Sequence, residues 1–223
     1  MKFKTYRIID LTMLCVLAFG IEIMTTALMN SIIPMGFSFY PVIGLFITVV
    51  AITRWKYRGL VVIPFNALAN FIASVYMCKA QDYDITRLII TMLSNLSAIV
   101  ILLWYKKKGV KDTFNGLNGY LLSCGSIILT NIIGVLLISI IMGIVRSGSL
   151  NLSISSIAEA MFLNAYTHVF AYVILLLGTY IFNSNGVIVD VKAKMLQDKK
   201  DRENEMKYYK NINKDTSDNK NEI

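Results

Sequence analysis

One histidine and three cysteines in 223 residues leave little from which to build a metal centre. Zinc sites draw on several Cys, His and carboxylate ligands held close together. Here Cys15, Cys78 and Cys124 lie far apart and form no C-x-x-C pair, so they read as small apolar residues of hydrophobic segments. There is no G-x-x-x-x-G-K-[ST] loop to cradle nucleotide phosphates, no H-E-x-x-H and no G-x-S-x-G. No two carboxylates stand at helical spacing inside an apolar run, so acid–base catalysis has no foothold and the chain reads as a non-enzyme without cofactors. Charge is scarce as well. It makes up 16% of residues, where soluble domains carry roughly 25%. Nearly half of that charge falls after Asn185. The formal net charge of +8 is divided among short segments and makes no nucleic-acid-binding face.

What remains is apolar, at 56% of the chain. Six runs approach the roughly 20 residues that carry a helix across a bilayer, at 8–29, 39–53, 59–78, 85–105, 120–145 and 160–182. The expected fold class is an all-α membrane protein of six transmembrane helices with both termini cytoplasmic. The organising stretch is YPVIGLFITVVAITRWKYRG at 40–59, where an apolar run stops at Arg54, Trp55, Lys56, Tyr57 and Arg58 and a new one begins at Gly59. Lys2, Lys4, Arg7, Arg54, Lys56, Arg58, Lys106, Lys107, Lys108 and Lys111 fall on one side of the six runs. Only Lys79, Arg87 and Arg146 fall on the other, which sets the orientation and a multi-pass place in the cell membrane. The leading MKFKTYR and its apolar run read as a retained first span, because no A-x-A-like cleavage site follows. Residues 32–40 either lengthen the second span or form an irregular outer loop. The domains are expected as 1–183, a transmembrane domain, and 184–223, a charged cytoplasmic tail. In that tail 187–209 forms a short amphipathic helix and the last dozen residues are disordered.

Polar residues inside apolar runs are the candidate site. Glu22, Thr25, Thr26 and Asn30 sit late in the first run, and Glu159, Asn164, Tyr166, Thr167 and His168 open the sixth. Asn164, His168 and Tyr172 share one helical stripe. A carboxylate in an apolar setting has to face a cavity or a partner. Glu22, Thr26, Asn30, Asn95, Asn164, Thr167 and His168 are therefore expected to line a pocket for a small polar molecule. Asn66 and Asn70, with Ala69 and Ala73, read as a helix-packing face, while Asn95 and Asn131 stand between packing and the pocket floor.

The stretch FYPVIGLFITVVAITRWKYRGLVV, together with LIITMLSNLSAIVILLWYKKKG and NGVIVDVKAK, resembles the substrate-binding (S) components of energy-coupling factor transporters. That resemblance implies capture of a vitamin or similar small molecule for an ATP-driven importer. Its implied partners are a membrane coupling subunit and two ATPase subunits, besides the lipid bilayer. It also implies that Ala69, Ala73, Arg54, Trp55 and Arg58 contact the coupling subunit. The residues leave a second reading open, a non-transporting membrane scaffold or assembly factor.

Overall fold

A helix that is apolar on every side has to be surrounded, and α2 (Val42–Trp55) is. From Leu45 to Thr53 no residue is more than 7% exposed. The computed structural model describes residues 3–32, 42–77, 85–147 and 154–218, and every element it describes is helical. Around α2 stand α1 (Phe3–Ile32), α3 (Val62–Ile72), α5 (Val100–Thr113) and α7 (Ile154–Ser184). Farther out, α4 (Ile85–Asn95) packs on α3 and α6, and α6 (Gly116–Ser147) packs on α5 and α7. Short 3-10 segments, Lys56–Val61 and Leu96–Ile99, lead from α2 into α3 and from α4 into α5. A π turn, Ala73–Met77, follows α3.

Two local features set the central geometry. The α2–α3 connection folds so tightly that a Cβ on Gly59 would stand 2.3 Å from the Ala51 carbonyl carbon, so no larger residue fits there. At the other end, Gly186 takes a positive φ of 67° just past α7. The Gly186 N–H donates to Asn183 O and the Val187 N–H to Phe182 O, which closes the helix end. Phe46 of α2 packs edge-on against Phe182 of α7, with ring centroids 5.0 Å apart, and its ring lies against Gly178.

Residues 1–189 form one unit and 190–223 another. In the second, α8 (Val191–Asp218) is capped by Asp190, whose Oδ1 accepts from the Ala193 N–H at 3.1 Å. This helix reaches Asp218, beyond the expected 187–209, and covers much of the last dozen residues read as disordered.

The six-span expectation is corrected. Among the described residues, two helical stretches are long and apolar enough to cross a membrane, Phe3–Leu28 and Gly116–Gly134. The described extent of α2 is 14 residues, about 21 Å at 1.5 Å each. The third and fourth runs break up. The third becomes a 3-10 segment, an 11-residue helix and a π turn, and the fourth an 11-residue helix joined through a 3-10 segment to α5. The sequence shows apolarity along the chain but not where the helical ladder is interrupted. The multi-pass cell-membrane placement and the cytoplasmic orientation of both termini rested on six crossings and fall with them. Residues 33–41, with the doubtful outer segment, lie outside the described residues.

Candidate functional site

Polar groups in an apolar helix have to find one another, and in this bundle they gather in two clusters along α1 and α2. The deeper one centres on Glu22, which is 2% exposed. Its Oε1 accepts from Asn70 Nδ2 of α3 at 3.2 Å and from Thr26 Oγ1, one turn along α1, at 3.4 Å. Its Oε2 accepts from the Gly44 N–H of α2 at 3.2 Å. Thr48 Oγ1 donates to Gly44 O at 2.8 Å and holds the glycine in place. Burial pushes the Glu22 carboxyl from the usual 4.5 up to about 7, against the opposing pull of the bonds from Asn70, Gly44 and Thr26.

Asn66, one turn before Asn70 on α3, is fully buried, and among the described residues neither its Oδ1 nor its Nδ2 finds a partner. A Cβ on Gly44 would stand 1.7 Å from Asn66 Oδ1, so the amide lies on the same glycine whose N–H reaches Glu22. Asn95, at the end of α4, is likewise fully buried with both amide atoms unpartnered among the described residues. Nearby in sequence, Ser97 Oγ accepts from Asn131 Nδ2 of α6 at 3.2 Å.

The second cluster is an ion-pair knot. Arg54 of α2 meets Asp10 of α1 with two bonds, Nε to Oδ2 and Nη2 to Oδ1, each 2.9 Å. Its Nη1 donates to Val187 O at 3.0 Å, which ties in the turn after α7. Trp55 Nε1 donates to the same Asp10 carboxylate, and the Trp55 ring packs on Phe3 and Tyr6. Between α6 and α7, Asn183 Nδ2 donates to Tyr120 Oη at 2.6 Å, and Cys124 Sγ lies 3.5 Å from Thr179 Oγ1. Thr53 and Tyr105 share a hydrogen bond in the interior, where burial pushes the Tyr105 phenol above its usual range.

Against the expected pocket, the structure joins Glu22 and Thr26 and adds Asn66, Asn70 and Gly44, which the sequence reading had assigned to packing or passed over. It does not bring His168 to Glu22. The partners of Glu22 come from α1, α2 and α3, whereas the half-buried His168 is on α7, which packs on α2 and α6. Asn30, Asn164 and Thr167 lie on α1 and α7, and their side chains fall outside the described residues. Asn95 is buried near Ser97 in sequence, outside the partner set of Glu22. Of the expected coupling contacts, Arg54 and Trp55 are spent inside the knot, Ala69 and Ala73 are fully buried, and Arg58 is exposed beside the Tyr57 ring. Sequence reasoning missed Asp10. Its signal was an acid at the edge of the first apolar run, opposite in charge to Arg54. Among the described residues no group of three His, Cys, Asp or Glu is placed to hold a metal ion.

Fold and site together define an all-helical bundle with a buried polar interior. No family model, no curated protein and no solved structure matches the chain. The likeness to S components of energy-coupling factor transporters is therefore withdrawn. Nothing matches along its length, two helical stretches among the described residues are long and apolar enough to cross a membrane, and of the residues it implied for docking Arg54, Trp55, Ala69 and Ala73 are paired or buried within the bundle. Substrate capture for a vitamin importer is withdrawn with it.

Proposed function

We propose that this chain is a non-catalytic scaffold whose working surface is the apolar outside of its helices. The observation that carries the reading is that long apolar stripes are exposed on the outer helices while polar side chains are buried among the apolar core. Inside lie Glu22, Thr26, Thr48, Asn66, Asn70, Asn95 and Asn131. Outside, α1 exposes Ile9, Met13, Val16, Leu17, Met24 and Leu28, a stripe at helical spacing about 28 Å long. A similar stripe runs along α6 through Leu122, Leu129, Ile133, Leu137 and Ile141, and α7 exposes Val169, Val173 and Leu177. Scattered exposed apolar residues are ordinary, but contiguous stripes of this length mark a contact surface. The polar side chains that would do chemistry are meanwhile buried inside the bundle.

The test is to replace Met13 and Met24 together by Gln and to compare assembly with wild type by cross-linking followed by purification of the full chain. Both residues are exposed, at 60% and 72%, so the folded chain should lose no more than about 0.5 kcal/mol. The expected result is a discrete assembly with partner protein in wild type that the double variant loses while its unfolding temperature holds. An assembly that survives the substitutions overturns the reading. So does a wild type that carries lipid and no protein on this face.

A further inference from the structure

We propose that the end of the bundle where α1 begins and α2 finishes is a docking surface for the acidic end of a helix in a partner protein. The proposal rests on the scaffold reading and gives that partner a chemistry. Side-chain ties bring several helix ends to this one place. Trp55 at the end of α2 packs on Phe3 and Tyr6 at the start of α1. Thr53 shares a hydrogen bond with Tyr105 of α5, and Arg54 reaches Val187 O just past α7. Cations crowd there. Lys4, Lys56, Arg58, Lys106, Lys107 and Lys108 are exposed, and Arg7 is half-buried. The acids described at this end are Asp10 and Asp112, and Asp10 is already bonded to Arg54 and Trp55. Like charges gathered in this way repel one another, and an incoming anion relieves them. Three of the cations are also held over rings, Arg7 over Phe3 at 6.0 Å, Arg58 over Tyr57 at 5.8 Å and Lys108 over Trp104 at 5.3 Å. Part of the ordering that docking requires is thus already made.

Two further observations select the occupant. The exposed stripe of α1 runs from Leu28 through Met24, Leu17 and Met13 to Ile9 and Ile8, and it stops beside Lys4 and Arg7. A helix lying on that stripe reaches the cations with one of its ends. Apolar contact along its length and carboxylates at that end match what α1 offers. The second observation is Lys56, the one described residue other than glycine with a positive φ, at 56°. Glycine takes that backbone without a Cβ clash, so a lysine there costs the fold some stability. A residue held in such a conformation points to a use for its side chain. Lys56 and Arg58 belong to the 3-10 segment that packs on α1, which puts both on the side where the partner's acidic end arrives.

The probe is a labelled helical peptide of about 20 residues, with leucines along one face and glutamates at one end, beside a twin with glutamines at that end. Binding of each to the purified full chain is read by fluorescence anisotropy. At about 50 mM NaCl the glutamate peptide should bind about tenfold more tightly than its twin, and most of that preference should go at about 300 mM. Lys4→Glu, Arg7→Glu and Arg58→Glu together should abolish the preference. Should that variant not fold, Lys4→Gln with Arg58→Gln should lower it about threefold, the cost of two exposed pairs. Lys56→Gly should weaken the preference while the unfolding temperature rises by about 2–4 °C, and unchanged binding in it counts against the surface. Equal binding of the two peptides by wild type, or a preference that survives the charge changes, overturns the proposal. If that equal binding is still lost on Met13→Gln with Met24→Gln, the scaffold reading stands without it. Absence of binding by either peptide overturns it too and leaves the cross-linking test of the scaffold untouched. Displacement of the glutamate peptide by phosphatidylglycerol vesicles, but not by phosphatidylcholine vesicles, would assign this end to lipid headgroups and also overturn it.

Discussion

Glu22 lies among hydrogen-bond donors but has no cationic partner among the described residues, and that combination makes its protonation a property of the fold. Its carboxyl is at about 7 when folded against 4.5 when free, so between those values the folded chain holds a proton that the unfolded chain gives up. The stability this contributes is complete below about pH 4.5 and is lost as pH rises through 7. Its hydrogen-bond partners on α2 and α3 are Gly44 and Asn70, neither of which titrates. Wild type should lose on the order of 3 kcal/mol between pH 4.5 and 8, by chemical denaturation. Glu22→Gln should be flat across that window, and an equally steep loss in the variant would show that another group titrates. At this scale the sequence was partly legible. A lone acid in an apolar run announces a cavity or a partner, and Thr26, one turn on, stands in the sequence beside it as a fellow lining residue of the expected pocket. Asn66 and Asn70 were visible only as a face of α3, because which helix that face meets is set by tertiary packing.

The elements are held in register by these same polar contacts. Asp10 pairs with Arg54 and Glu22 with Gly44, so each step forward along α1 matches a step back along α2. The twelve residues from Asp10 to Glu22 span about 18 Å, so the two clusters fix the antiparallel pair near both ends. A further tie runs from Arg54 to Val187 O, beyond the turn that Gly186 makes. Asp10→Leu leaves Arg54, which is only 12% exposed, without its counter-ion and should cost about 3 kcal/mol in urea unfolding. Adding Arg54→Leu should recover part of that loss by removing the stranded charge. If the double variant is as unstable as the sum of the two singles, the ion pair is not what Arg54 contributes. The helices lie where the apolar runs are, because a long apolar stretch has few other ways to satisfy its backbone. Their interruptions at Lys56–Val61, Ala73–Met77 and Leu96–Ile99 were not legible. They depend on close approaches such as Gly59 against Ala51, which composition does not record. The basic-aromatic cluster reads in the sequence as the break between two apolar runs, and Arg54 and Trp55 turn inward there because Asp10 is there to receive them.

In the unit of residues 1–189, the described residues bury a carboxylate, amides and hydroxyls within an apolar core and leave methionine, leucine and isoleucine exposed along α1, α6 and α7. Counting apolar residues predicts burial and cannot say which of them the chain leaves uncovered. That division follows from α2, which takes the central position and leaves the outer helices one inner face each. The central claim is that the outer stripes are covered where the protein works. It is tested most directly by cysteine accessibility in a background with Cys15, Cys78 and Cys124 replaced. Met24 and Tyr57 are exposed to a similar degree, 72% and 65%, but only Met24 lies on an apolar stripe. A water-soluble maleimide added to unfractionated cell extract should modify Tyr57→Cys readily and Met24→Cys much more slowly. Equal labelling rates at the two positions would show the stripe bare to water and contradict the account.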